Sequence, residues 1–549
     1  MVPFSRKIVL LAILFATFSN GFGQTLESSN LPILIIDTKG QEIPNEPKII
    51  ATIKIIDNGA GKRNTVTDQP TYAGKIGIEQ RGSTSRMFFP KKPYGFELRD
   101  TSGIEGISAS VLGLPSEEDW VLNATFNDKT LLRDVLTYDL YRSYSPYYAP
   151  QHKFCEVIIN GTYEGIYILF EKIKRDKNRV NISKLEPKDN LGDALTGGYI
   201  LKIDKTEGNV SRQWTSPYLP PNSPQFTTPI QVEYPKFEDM TEPQFEYIKK
   251  YVTDFENTLK SPAYADSAQG YARYIDVNSW VDYLILSEVC RNVDAYRLST
   301  FFYKDKDSKG GKLTMGPIWD YNLAYGNADY CNGEKTEGWA FDFNRVCPND
   351  GFQMPFWWDR LLEDRNFARK VRLRYQALRP TVLKTETIHR YIDSTATVLQ
   401  EARVRNFTRW TVIGQKLWPN FYVGSTYEDE VGYLKAWITR RLAWMDQELM
   451  TFGADITATE PTVLPFQFSV FPNPASTEVQ VSFRLDHAAV VKVQVYDLWG
   501  RVLREGTPGY LAPGDHLVTQ SLPTSSAEVQ FLGLEVDGKR MVVRKILRE

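Results

Sequence analysis

"RNVDAYRLST", residues 291–300, and "GPIWDYNLAYG", residues 316–326, each set one acidic residue among aromatics. What flanks them decides how the middle of the chain folds. Upstream, "DVNSWVDYLILSEVCR" (276–291) carries an apolar stripe through Trp280, Leu284 and Val289, with Asp276 or Asn278 suited to cap its start. That pattern predicts a helix ending near Arg291. Between the two acids, "LSTFFYKD" and "KLTMGPIW" read as strands joined by the polar turn "KDSKGGK". Folding this ribbon about Ser308 sets residues near Leu298 opposite residues near Ile318. Asp294 and Asp320, 320 − 294 = 26 positions apart, then stand at the same open end.

Two carboxylates at one sheet end can share a divalent cation. Alternatively, one holds a metal while the other accepts a proton from a hydroxyl nucleophile. Helix, loop with Asp, hairpin, then Asp is also the order in which protein kinases place their catalytic and magnesium-binding aspartates. Kinases add a lysine from an early strand, a place that Lys91 and Lys92 before "PYGFEL" suit. Arg81 in "RGSTS" offers another cation beside a Gly-Ser turn whose N–H groups can approach phosphate. A lone Asp after a strand is more often a turn or cap residue; spacing alone therefore points to a metal-dependent phosphotransfer site and no further.

Working outward, residues 31–98 read as β structure in "PILIIDTKG", "KIIATIKIIDNGAG", "KIGIEQRGSTS" and "KKPYGFELRD". "DKTLLRDVLTYDLYRS" predicts a helix with Asp128 as its cap. "KFCEVIINGTYEGIYILFEKI" is a hairpin turning at Asn160-Gly161, the type I′ signal. Residues 205–234, with "SPYLPPNSPQFTTP" at the centre, read as a long loop or lid. Helical patterns resume at "TEPQFEYIKKYVTDFENTLK" and run through residues 356–449. After a Thr/Pro-rich break, short alternating strands such as "EVQVSFRL" and "VVKVQVYD" predict a small β-sandwich.

The N-terminal "MVPFSRKIVLLAILFATFSNGFGQ" has basic residues, an apolar run and small residues in the order of a secretory signal peptide. No later run is long enough for a membrane helix. The formal charge of −2, from 65 basic and 67 acidic side chains, gives no reason to expect a nucleic-acid partner. In an exported chain Cys331 and Cys347 could close a disulfide, while the four scattered histidines and the absence of CxxC argue against zinc.

Several ordered motifs carry a resemblance: "RGSTSRMFFPKKPYGFEL", "WVLNATFNDKTLLRDVLTYDLYR", "NGTYEGIYILFEKIKRDKNRV", "GGYILKID" and "RNVDAYRLSTFFYKD…GPIWDYNLAYGNA". Together they resemble the spore-coat protein H (CotH) kinase family over residues 31–452. That family is similar to a strongly divergent protein kinase and transfers phosphate from ATP to protein Ser. The resemblance implies ATP and Mg as cofactors, Asp294 as the catalytic aspartate and Asp320 as metal ligand. Arg81 with Lys91 or Lys92 would lie near the phosphates, and Glu171 and Lys172 would serve the nucleotide or a supporting ion pair. Where kinases place a second metal-binding Asn, Ser299 stands here, with Asn322 as a substitute; no GxGxxG loop is present.

The tail resembles another family. "FSVFPNPASTEVQVSF", "VKVQVYDLWGRVLRE", "GDHLV" and "KRMVVRKILRE" look like the type A sorting domain of the Bacteroidetes type IX secretion system. The expectation is thus an α+β chain in five parts: signal peptide 1–23, β-rich part 31–110, atypical kinase-like core 111–452, linker 453–465 and immunoglobulin-like sorting sandwich 466–549. Its partners are a protein substrate and the type IX machinery, at the outer-membrane surface or outside the cell. Alternatives are a non-catalytic surface adhesin that keeps the fold and, less favoured, glycoside hydrolysis by the same carboxylates.

Overall fold

The computed structural model describes residues 26–206, 212–453, 468–485, 487–497, 501–523, 529–537 and 539–548. The predicted signal peptide and nearly all of the predicted linker lie outside the described residues. The fold is mixed α and β.

Alternating β-branched residues close a seven-stranded barrel from β1 (Ile33–Asp37), β2 (Ile49–Ile56), β3 (Tyr72–Gln80), β4 (Tyr94–Arg99), β5 (Asp119–Asn123), β6 (His152–Ile159) and β7 (Thr162–Glu171). Strand order is β1-β2-β3-β4-β5-β7-β6, and a parallel β1–β6 pairing closes it. Ile53, Ile76, Phe96, Trp120, Leu122 and Tyr167 fill the interior, as a barrel this small requires. The β6–β7 turn has Asn160 and Gly161 both at positive φ, 50° and 78°, the I′ geometry predicted there. The domain boundary expected at residue 110 therefore falls inside the barrel, because β5 to β7 are needed to close it. Sequence patterning marks strands but not which of them share a sheet.

A second sheet of five strands holds the ribbon between the two aspartates. Its strands are β8 (Tyr199–Ile203), β9 (Gln213–Thr215), β10 (Pro229–Tyr234), β11 (Thr300–Lys304) and β12 (Thr314–Met315), in the order β9-β10-β8-β11-β12. Two of these come from the stretch read as a lid. "PIQVEY" buries Ile230, Gln231 and Val232 in succession and starts at Pro229, a position where proline costs no ladder bond; the Pro/Ser-rich composition before it hid the strand. The register Phe302↔Met315 and Tyr303↔Thr314 is the expected fold-back.

The helix before the ribbon, Val277–Cys290, begins at Asp276, whose side chain accepts from Asn278 N, and stops at Arg291 in the left-handed region (φ 45°). The Asp128 helix starts later than expected, at Arg133. Its N-cap is Leu132, not Asp128; Asp128 instead holds Arg133, one oxygen accepting from Arg133 N at 2.8 Å and the other pairing with the Arg133 guanidinium at 2.6 Å. Helices Trp357–Glu363, Arg365–Leu378, Thr385–Val398, Gln400–Arg409 and Tyr427–Glu448 follow. Trp280, Trp357, Trp358 and Trp437 are fully buried among them, which makes these aromatics core rather than binding surface. The tail forms two antiparallel sheets, of three and four strands, over one apolar cluster containing Val481, Phe483, Val493 and Leu534.

Candidate functional site

The two loops that leave the ribbon meet. Asn292 Nδ2 donates to the Asp320 carbonyl at 3.1 Å. Asp294 places both of its side-chain hydrogen bonds on Oδ1, from Arg297 Nη2 at 2.8 Å and Tyr330 OH at 3.4 Å. Arg297 is itself buried, donating to Asp350 and to the Val293 and Phe352 carbonyls with its guanidinium 3.9 Å from the Phe343 ring centre. It therefore fixes Asp294 rather than meeting a ligand.

Asp320 sits at φ 65°, a conformation that strains any residue other than glycine. Its N–H donates to Tyr138 OH at 3.3 Å, and the next N–H, of Tyr321, donates to Asp134 Oδ1 at 2.8 Å. Trp319 packs against Tyr138 and Phe170, with Arg81 over its ring at 5.5 Å. The Asp320 carboxyl is pushed up to about 7, by the protein crowded around it first and by Asp294 and Asp204 next, against Lys205 and Arg81. The residue is nevertheless exposed, which weakens the burial part. The repulsion from two neighbouring carboxylates is the firmer cause.

Asp204 and Lys205 were not singled out by the sequence. Asp204 follows β8, whose last residue Ile203 pairs with Thr300 at the start of β11. That register sets Asp204 beside Ser299, which donates its backbone N–H to the Asp204 carboxylate. Ser299, expected as a metal ligand, meets the site through this N–H and at φ 46°. Lys205 Nζ donates to Thr84 Oγ1 at 2.9 Å, tying the "RGSTS" turn to the carboxylates. Asp134, also missed, is buried and pushed up to about 8 by burial, then by Asp320 and Asp128.

Of the expected cations, Arg81 and Lys172 gather here. Burial lowers Arg81, opposed by Glu233, Glu79 and Asp320. Burial likewise lowers Lys172, opposed by Asp119 at 3.4 Å and reinforced by the charge of Arg81. Lys91 and Lys92 do not join them. Lys91 is buried against helix Gln400–Arg409, donating to the Ile166 carbonyl and to Asn406 Oδ1 at 3.0 Å, and burial lowers it to about 7. Lys92 donates to the Arg86 and Phe89 carbonyls, pinning the end of the short helix Thr84–Phe88. A Lys-Lys pair signals charge, not direction; both residues stand in the turn before Tyr94–Arg99, where neighbouring carbonyls and Asn406 take up their ammonium groups. Asn322 Nδ2 donates to Asn127. Glu171 is buried, accepts from Tyr148 OH and Gln151 N on one oxygen, and leaves the other without a hydrogen-bond partner. Cys331 and Cys347 are bonded, with Cα atoms 5.6 Å apart.

Asp320 repelled by Asp294 and Asp204, with Arg81 and Lys205 opposing that repulsion, makes with them a donor set a divalent ion fits. A family model described as CotH kinase protein matches residues 78–445. This chain belongs to the CotH kinase protein family. Both acidic loops, the "RGSTS" turn and Glu171 fall within the matched segment of this CotH protein. A second model, the secretion system C-terminal sorting domain, matches residues 469–509. The tail thus addresses the CotH protein to type IX secretion machinery and to the cell surface or beyond. No curated protein matches the chain. No helix among the described residues is long and apolar enough to cross a membrane.

Proposed function

We propose that this CotH protein is an exported atypical protein kinase that transfers the γ-phosphate of ATP to a Ser or Thr hydroxyl of a surface or exported protein. The observation that carries this reading is the convergence of Asp294, Asp320 and Asp204 at one sheet end, with Arg81, Lys172 and Lys205 at its edge. The same reading takes the core as kinase-like and the tail as an immunoglobulin-like sandwich.

Asp294 keeps Oδ2 for the acceptor hydroxyl, because Arg297 and Tyr330 both hold Oδ1. The acceptor oxygen bonds to the γ-phosphorus, the bond from that phosphorus to the β–γ bridging oxygen breaks, and the hydroxyl proton passes to Asp294. Asp320 and Asp204 would hold magnesium, which when bound neutralises triphosphate charge. Arg81 and Lys172 balance the remaining phosphate charge and orient the chain of phosphates. Glu171 supports the turn at residues 148–151.

The test is label transfer from γ-labelled ATP with Mg²⁺ by the purified chain onto exported proteins. Asp294→Asn should lower transfer by about 100-fold or more. No transfer by the wild type, or equal transfer by the variant, refutes the reading.

A further inference from the structure

Met87 and Phe88 are 60% and 67% exposed, and Trp418 is 53% exposed. Such side chains are normally hidden, and grouped they mark a contact surface. They come from positions far apart in sequence, yet Phe88 and Trp418 have ring centres 6.0 Å apart. Phe421, 49% exposed, follows in the Trp418 loop.

The patch joins the acidic site on both sides. Trp418 stacks on Tyr330 at 6.5 Å with ring planes 15° apart, and Tyr330 OH donates to Asp294. On the other side, Thr84 opens the short helix that bears Phe88 and accepts from Lys205, the neighbour of Asp204. Lys92 holds the end of that helix through two carbonyls, so Phe88 is presented from a fixed turn. Aromatic groups held in place before binding lose little freedom when a partner arrives.

We infer that this aromatic rim docks the acceptor polypeptide, gripping a large apolar side chain close in sequence to the Ser or Thr that is modified. The inference rests on the kinase reading of the same site and names the substrate class. A polypeptide fits because the rim begins one residue contact from Asp294, at Tyr330 beneath Trp418, so a chain whose hydroxyl meets that carboxylate has Trp418 and Phe88 beside it. Each apolar side chain it lays there leaves water on both faces.

The full chain is mixed with fluorescently labelled nine-residue peptides holding one Ser flanked by Trp, Leu or Ala. Anisotropy gives affinity, and label transfer from ATP gives kcat and KM. Trp and Leu peptides should bind at least about tenfold tighter than Ala peptides, about 1.4 kcal/mol. Phe88→Ala and Trp418→Ala, both at exposed positions, should abolish that preference while unfolding temperature stays unchanged. Transfer should fall through KM, with kcat held within about twofold. No apolar preference in the wild type, or a preference that survives both substitutions, overturns the inference. So does a dimer in sedimentation that Trp418→Ala splits, because the rim would then be covered by a second copy. Preference without transfer refutes the kinase reading and leaves the docking surface standing; transfer without preference does the reverse.

Discussion

Asp134 lies behind the site and gives its sharpest quantitative consequence. Its Oδ1 accepts from Tyr321 N at 2.8 Å and its Oδ2 from Asn123 Nδ2 at 3.0 Å. Burial, then Asp320 and Asp128, push the carboxyl up to about 8. An unfolded Asp titrates near about 3.9. Between these values the folded chain keeps a proton that the unfolded chain has lost. The stability Asp134 contributes is therefore full below pH 4 and is lost as pH rises towards 8, at about 1.4 kcal/mol per pH unit.

Asp134→Asn titrates nothing and keeps an oxygen for Tyr321. It loses the Asn123 bond, a cost independent of pH that drops out of the slope. From pH 5 to pH 8 its stability relative to wild type should rise by up to about 4 kcal/mol, three units at about 1.4 each. Solvent around Asp320 screens part of the repulsion, so about 2 kcal/mol is the floor. Urea unfolding at constant ionic strength, followed by emission of the buried tryptophans, measures the gap at each pH. A gap that stays constant, or that moves the other way, means Asp134 is ionised in the folded chain and the reasoning fails.

Two further outcomes follow from other charged groups. Asp320, raised to about 7, must release its proton before it can ligate a cation, so apparent Mg²⁺ affinity should fall about tenfold per pH unit below 7. Thermal-shift titrations with MgCl₂ at pH 5 and pH 8 check this, and an equal response at both removes Asp320 from the ligand set. Glu288 and Arg441 form a fully buried pair at 3.1 Å. Burial raises Glu288 and lowers Arg441 to about 10, so desolvation outweighs their attraction, yet Glu288→Ala strands the arginine. It should cost about 3–5 kcal/mol in denaturant unfolding, and a loss under about 1 kcal/mol would show that the guanidinium is satisfied by its carbonyl partners alone.

The ribbon was legible because its signals are local. The cap at Asp276, the helix end at Arg291 and the fold-back to Met315 all lie within about 40 residues, and alternation needs no distant partner. The two aspartates inherit their meeting from that hairpin. Asp204 was illegible for the opposite reason: its strand reaches β11 across roughly 100 residues, and no local pattern declares which strands become neighbours. Asp134 reads as an ordinary acid in a first helical turn until the fold brings Tyr321 N to it. Lys91 and Lys92 misled because composition shows a charge near a strand but not the partners that the fold brings to it, among them Asn406, 315 residues on from Lys91.

The strained backbone explains why support must come from so far away. Arg291, Tyr296, Ser299, Asp320 and Tyr325 all have positive φ between 45° and 72°. At about 1–3 kcal/mol each, they total roughly 5–15 kcal/mol, as much as the net stability of a whole domain. Neighbours must therefore hold them. Arg291 donates to the Lys335 and Glu337 carbonyls, Tyr296 OH donates to Glu288, and Tyr325 OH accepts from Thr137. Glu288 in turn depends on Arg441, which also binds the Thr336 and Gly338 carbonyls. A loop made only to connect a helix to a strand gains nothing from this arrangement. One that brings Asp294 and Asp320 together against their repulsion is served by it, and the buried pair at Glu288 and Arg441 holds the part of it that runs through Tyr296.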